Sequence, residues 1–243
     1  MSKPNISEQD GVRNLHFGTQ VIQGAMRLDN QLALEFEYIQ QMMLWTLFIE
    51  RPAHIVQLGL GAGALTKFCH HHYPAARTTA IELDPAVIHA CHTHFALPPN
   101  DQRLSVCAMD AWDYVNDPSN NSSCDVLQVD LYDAQAIEPT LNSPEFYAAC
   151  ADCLTDNGIM TVNIFCDRDN HSHNLEAIEQ AFSAVAWLPE VHDSNVIAIA
   201  FKQAPSIDFD QLYGHAIRVE QQIKLPAQSW VDGLMLWMQD EHS

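Results

Sequence analysis

The segment His54-Ile-Val-Gln-Leu-Gly-Leu-Gly-Ala-Gly constrains this chain more than any other. A short apolar run that reads as a strand stops at three alternating glycines, Gly59, Gly61 and Gly63. Glycine permits positive φ and removes the β-carbon, so a strand can turn sharply into a helix while its backbone stays open to close approach by a ligand. Alone, a Gly-x-Gly-x-Gly pattern is a weak signal. It gains weight from Glu82, which ends the next apolar run, Thr78 to Glu82, about twenty residues on, where a carboxylate can accept both hydroxyl protons of a ribose.

The rest of the chain fits a sheet that would carry such a turn. From Pro52 onward, strand-like and helix-like segments alternate with short connections, the signature of βαβ units on a mostly parallel sheet. The expected strands are 54–59, 78–82, 104–109, 124–130 and 159–165, with helices over 64–72, 85–95, 143–154 and 175–185. Segments 187–191 and 195–202 read as a closing antiparallel hairpin. Ahead of the sheet, residues 1–11 read as a loosely docked lead, 14–27 as a hairpin about Gly18-Thr19, and 32–49 as a helix with apolar residues at Leu34, Tyr38, Met42, Trp45 and Phe48. Two amphipathic helices, 208–224 and 226–239, follow it. The chain thus divides into a short N-terminal part (1–50), a nucleoside-binding catalytic domain (51–205) and a helical extension (206–243).

The third and fourth strands narrow the ligand. Asp110, followed by Ala111, ends the third strand, at the edge where the exocyclic amine of an adenine would need an acceptor. Asp130 ends the fourth strand and Asp133 follows three residues later, so two carboxylates face the crevice beyond the strand tips. Carboxylates attract a sulfonium or an amine and repel a pyrophosphate. The formal net charge of −20 opposes binding to nucleic acid or to an anionic membrane.

With these features the chain resembles the spermidine synthase family, the polyamine aminopropyltransferases. Carrying the resemblance are Val21-Ile-Gln-Gly, the Tyr38 to Met43 segment, Leu58-Gly-Leu-Gly-Ala-Gly, Ala80-Ile-Glu-Leu-Asp-Pro, Met109-Asp and Asp125-Val-Leu-Gln-Val-Asp-Leu-Tyr-Asp. The resemblance implies a Rossmann-like, methyltransferase-type α/β fold, mostly parallel with an antiparallel last strand. It also implies transfer of an aminopropyl group from decarboxylated S-adenosylmethionine to a polyamine-type amine. Asp130 would be the catalytic carboxylate and Asp133 its companion, while Gln23 would touch the nucleoside beside Gly59, Gly61, Gly63, Glu82, Asp110 and Ala111. A homodimer is a further implication. Ala62 stands where the family carries an aspartate that binds the aminopropyl amine, which keeps open a methyltransferase using S-adenosylmethionine, or a non-catalytic nucleoside- or polyamine-binding homologue.

Other clusters read more plainly. Cys69-His-His-His and His89-Ala-Cys-His-Thr-His do not give a metal site, because consecutive helical side chains point around the helix; no metal is expected. Cys150 and Cys153 lie within an expected helix as buried thiols. His171-Ser-His lies just beyond the fifth strand, either as a polar loop or lining the crevice. With no long apolar run and a polar N-terminus, the chain is expected in the cytoplasm.

Overall fold

The computed structural model describes residues 3–131, 143–165, 171–188 and 195–240. Strands Asn5–Gln9 (β1), Val12–His16 (β2) and Gly24–Arg27 (β3) form a three-stranded antiparallel sheet. The expected hairpin corresponds to β2 and β3. The expectation of a loose lead is corrected, because β1 pairs along its whole length with β2. What makes that hairpin is Asp10-Gly11, with φ of 51° and 79°. A two-residue turn with both φ positive matches the right-handed twist of its strands, and Asp-Gly is among the pairs best suited to it.

The expected helix over 32–49 is also corrected. Helix is confined to Glu37–Gln41 (α1), with a 3-10 turn at Leu44–Leu47. The carbonyl of Met42 accepts hydrogen bonds from Gln128 Nε2 (3.2 Å) and Thr161 Oγ1 (3.0 Å), both on the sheet, instead of continuing a helical ladder. Met42, Met43, Leu44, Trp45 and Leu47 are all fully buried, so this stretch is a core plug rather than an amphipathic helix.

The main domain follows in order: His54–Leu58 (β4), Ala64–His72 (α2), Arg77–Glu82 (β5), Pro85–His94 (α3), Leu104–Ala108 (β6), Ala111–Val115 (α4), Cys124–Val129 (β7), Pro144–Cys153 (α5), Leu154–Phe165 (β8), His171–Ala181 (α6), Ala184–Trp187 (β9) and Asn195–Phe201 (β10). Phe209–Ile223 (α7) and Ala227–Asp240 (α8) close the chain where two terminal helices were expected. The sheet order is β6-β5-β4-β7-β8-β10-β9. The first five strands are parallel, and β10 runs antiparallel between β8 and β9. The closing hairpin is therefore real, but its first strand lies at 184–187 and the preceding helix ends at 181, both earlier than expected. Regular pairing of β8 with β7 begins at Ile159, after a register shift between Cys124 and Val126 of β7.

Both faces of the sheet are covered. On one, Ile55, Ile197 and Phe201 join Trp45, Leu212, Ala216, Trp230 and Leu234 in one apolar cluster. On the other, Val56, Leu127 and Val162 join Phe146, Tyr147 and Ile178. Such two-sided burial is why the central parallel strands β4 and β7 are mostly apolar and buried at nearly every position. Among the described residues no helix is long and apolar enough to cross a membrane.

The chain leaves β4 toward β5 and β6 on one side and returns to place β7 on the other, so the β4–β7 boundary is the switch point at which such sheets open a crevice. Gly59 follows β4 with φ of 88°, and a β-carbon there would overlap the carbonyl oxygen of Asp130 and lie 2.9 Å from its carbon. Gly11 has a similar φ of 79° but nothing within 4 Å of the same position. Urea denaturation should separate the two: Gly11→Ala is expected to cost about 1 kcal/mol from backbone strain alone, and Gly59→Ala about 2–4 kcal/mol from strain plus overlap. Equal losses would mean that the approach of Gly59 to Asp130 carries no energy.

Candidate active site

The glycine turn is built by continuing both neighbouring ladders one residue past the strands. Gly59 N–H donates to the Ile81 carbonyl and Asp130 N–H to the Leu58 carbonyl, each at 2.9 Å. Gly61 and Gly63 also have positive φ, 52° and 70°, and Gly63 is the residue from which α2 starts. Leu60 N–H then reaches Glu82 Oε2 at 3.1 Å, and Asp84 N–H reaches Oε1 at 2.9 Å. Burial pushes the Glu82 carboxyl up from its ordinary range, partly offset by these backbone donors. Each carboxylate oxygen keeps a further lone pair with which to accept a hydroxyl.

At the neighbouring tip, Asp110 is exposed and caps α4, accepting from Trp112 N–H at 2.8 Å, while Ala111 is buried at the first helical position. The bond from Met109 N–H to the Glu82 carbonyl, 3.0 Å, ties this tip to the last one. Beside the two acids stand three large apolar side chains left open to solvent: Leu83, Met109 and Trp112, 52%, 42% and 39% exposed. Sequence reasoning missed this apolar margin. Its signal was present, since Leu83 and Met109 each adjoin a strand-end acid.

Asp130, partly buried, stands across the switch point, and Asn163 of β8 donates from Nδ2 to its Oδ1 at 2.9 Å. Burial pushes the Asp130 carboxyl up, and the Asn163 bond works the other way. Asn163 is 2% exposed and was not anticipated, although a lone amide inside the apolar run Met160-Thr-Val-Asn-Ile is the sort of residue that needs a polar reason to be buried. Asp133 lies outside the described residues.

The N-terminal sheet approaches the same turn. The Gln23 carbonyl sits 3.0 Å from where a β-carbon on Gly61 would be, and a β-carbon on Gly24 would come 2.6 Å from Ala62 N and 2.8 Å from Ala62 Cβ. Ala62 is 3% exposed, in one apolar cluster with Leu15 and Met26. Its methyl group thus belongs to the contact between the turn and β3. The structure brings together Gln23, Gly59, Gly61, Gly63, Glu82, Asp110, Ala111 and Asp130 along one edge of the sheet.

Among the described residues no group of three or more His, Cys, Asp or Glu side chains converges on a common point. Cys150 and Cys153 are buried, with burial raising both thiols, Cys153 to about 11. His171 opens α6, and His173 is exposed, 4.0 Å from Glu176.

Residues 35–211 match the model of the spermine/spermidine synthase domain. This chain belongs to that family. It is 31% identical over 85% of its length, and 79% of the relative's, to a polyamine aminopropyltransferase of Chromobacterium violaceum. A polyamine aminopropyltransferase of Neisseria meningitidis is also 31% identical, over 82% of this chain and 76% of that protein. A bovine eEF1A lysine and N-terminal methyltransferase is 25% identical over 78% of this chain but 29% of its own length. Among solved structures, a probable spermidine synthase from Corynebacterium glutamicum superimposes with a TM-score of 0.73 at 20% identity, covering 94% of this chain and 88% of that one. Human methyltransferase-like protein 13, solved with SAH, gives 0.70 at 21% identity, covering 78% and 93%. Both share the fold, a Rossmann-like, methyltransferase-type sheet.

Because the folded chain favours the protonated form of Asp130 relative to the unfolded chain, that group's stabilising contribution is present at acid pH and lost as pH rises above the ordinary aspartate range near 4. An amide at this position feels no such loss. The melting temperature of Asp130→Asn minus that of the unaltered protein is therefore expected to be more positive at pH 7 than at pH 4, and a difference that shrinks toward neutrality would contradict the enclosed carboxyl.

Proposed function

We propose that this chain transfers an aminopropyl group from decarboxylated S-adenosylmethionine to a polyamine-type amine, with Asp130 as the group that receives the amine proton. The observation that carries the reading is the enclosed Asp130 carboxylate at the switch point, beside the glycine turn and held at one oxygen by Asn163. The names of the curated relatives, polyamine aminopropyltransferases, support it.

The residues present fit the co-substrate. Glu82 accepts the ribose hydroxyls, while Leu83, Met109 and Trp112 offer apolar surface for a base whose amine meets Asp110. The three carboxylates favour a sulfonium over a phosphate-bearing nucleotide. Gln23, Gly61 and Gly63 border the nucleoside, and Asp133 acts with Asp130 at the amine.

In the reaction the amine lone pair forms a bond to the carbon attached to sulfur, and the carbon–sulfur bond breaks with its electron pair going to sulfur. The positive charge passes from sulfur to nitrogen, leaving a neutral thioether, methylthioadenosine. The lone pair is freed beforehand, when the substrate ammonium gives a proton to Asp130 directly or through water, and the raised pKa of Asp130 makes it a better acceptor than an ordinary aspartate. The new secondary nitrogen carries the positive charge out as an ammonium. Positioning of the two reactants along one edge supplies the remaining acceleration.

A second reading rests on Ala62, whose buried methyl offers no carboxylate to an aminopropyl amine. It is methyl transfer from S-adenosylmethionine itself. Incubating the protein with each sulfonium and a panel of diamines and triamines separates the two. Methylthioadenosine is expected from the decarboxylated compound; release of S-adenosylhomocysteine from S-adenosylmethionine alone would replace the first reading with the second. Asp130→Asn should lower kcat by about 10²–10⁴-fold, with a smaller loss of sulfonium affinity from the removal of one of the three carboxylate charges, whereas Glu82→Ala should weaken sulfonium binding by about tenfold or more.

A further inference from the structure

A cavity of about 310 Å³ lies outside α2, lined by Gln31 and Leu32 from the segment after β3, Lys67, His70 and His71 of α2, Ala96 and Pro98 after α3, and Arg103 before β6. None of these residues is acidic. In a chain with 31 acidic side chains against 11 Lys and Arg, the meeting of a lysine, an arginine and two histidines around one cavity runs against the general charge. Lys67, His70 and His71 stand at i, i+3 and i+4 and so share one helix face.

Two groups here are incompletely served. Lys67 is 4% exposed, and its ammonium donates to the carbonyls of Gln31 (2.9 Å) and Phe95 (2.7 Å), but no carboxylate among the described residues pairs with it. Burial brings its pKa down to about 8, the response of an ammonium that lacks a counter-charge. His70 Nδ1 is enclosed with no hydrogen-bond partner among the described residues, while its Nε2 lies 3.6 Å from Asp101. Arg103 spends one hydrogen bond, 3.3 Å, on the His70 carbonyl. Asp101 stands at the rim with its charge already engaged, accepting backbone N–H bonds from Arg103 and Leu104 at 2.7 Å each.

We propose that this cavity binds a small phosphate-bearing anion, held by Lys67 and Arg103 with His70 as an additional donor. A phosphate group supplies the missing counter-charge, and its oxygens match guanidinium and ammonium donors. The volume is in the range of small-molecule sites and exceeds what a bare phosphate fills, which favours a phosphomonoester. The competing explanation is structural: Lys67 caps the end of α3 at Phe95, and cations near the end of α2 complement its dipole.

Calorimetry with inorganic phosphate, phenyl phosphate and sulfate tests the site. Saturable one-to-one binding is expected, weakened at least about tenfold by Arg103→Gln and untouched by the control Arg51→Gln. Tighter binding of phenyl phosphate identifies a phosphorylated small molecule as occupant, and equal affinity identifies free phosphate. Sulfate keeps its charge across pH 7–9, a window in which His70, held below its ordinary range, is neutral and Cys91, raised to about 12, stays protonated. Sulfate affinity should therefore fall as pH rises through Lys67's value near 8, and Lys67→Met should abolish that fall. Should Lys67→Met not fold, Arg103→Gln and the pH profile of the unaltered protein decide the matter. Absence of saturable binding, indifference to Arg103→Gln, or a flat pH profile would each leave the structural explanation in its place.

Discussion

The contact of Gly59 with the carbonyl of Asp130 is the point on which the arrangement of this molecule turns. Parallel neighbours at a switch point send their chains in opposite directions, and a crevice opens between them. Here the two backbones nevertheless stay in register one residue beyond the strands, because Gly59 has no β-carbon to hold Asp130 away. That continuation fixes the start of α2, the path of Leu60 toward Glu82, and the site at which Asn163 can reach Asp130 from the next strand. A glycine, two carboxylates and an amide from four different strands or their tips become one local structure through a single absence of side chain.

Much of this was readable because it depends on short-range pattern. Central strands buried on both faces are mostly apolar, so β4 and β7 emerge directly from the sequence, β5 and β6 follow from their short β-branched and apolar stretches, and the glycines and strand-end acids mark the tips. The failures have specific physical causes. Residues 32–49 carry helical periodicity, but Gln128 and Thr161 capture the Met42 carbonyl, an interaction between residues 86 and 119 positions apart that no local pattern contains. The β1–β2 hairpin failed for the opposite reason: its signal, Asp10-Gly11, is local and was outweighed by the polar composition around it. At the site, the acids stand out because a carboxylate ending an apolar strand is conspicuous. The apolar margin of Leu83, Met109 and Trp112 is not, since an exposed apolar side chain is ordinary until its neighbours are known.

Charge is distributed with more structure than the total suggests. The excess of acid suits a cationic co-substrate at the strand tips, where Glu82, Asp110 and Asp130 stand together. Along the later turns of α2, cations meet instead, with the carboxylate of Asp101 beside them. One helix therefore separates two electrostatic environments of opposite sign, starting at the glycine turn beside the first and lining the second with its later turns.

The packing of Gly24 on Ala62 bears on the routes by which this sequence can change. A β-carbon on Gly24 would overlap the backbone and methyl group of Ala62, so Gly24 cannot grow without moving β3 away from the turn, and Ala62, 3% exposed against it, has little room to lengthen. An acidic residue at position 62 is thus not one substitution away in any practical sense. It becomes accessible only after the N-terminal sheet has shifted, and until then the shape of a three-stranded accessory sheet confines what chemistry the turn can evolve.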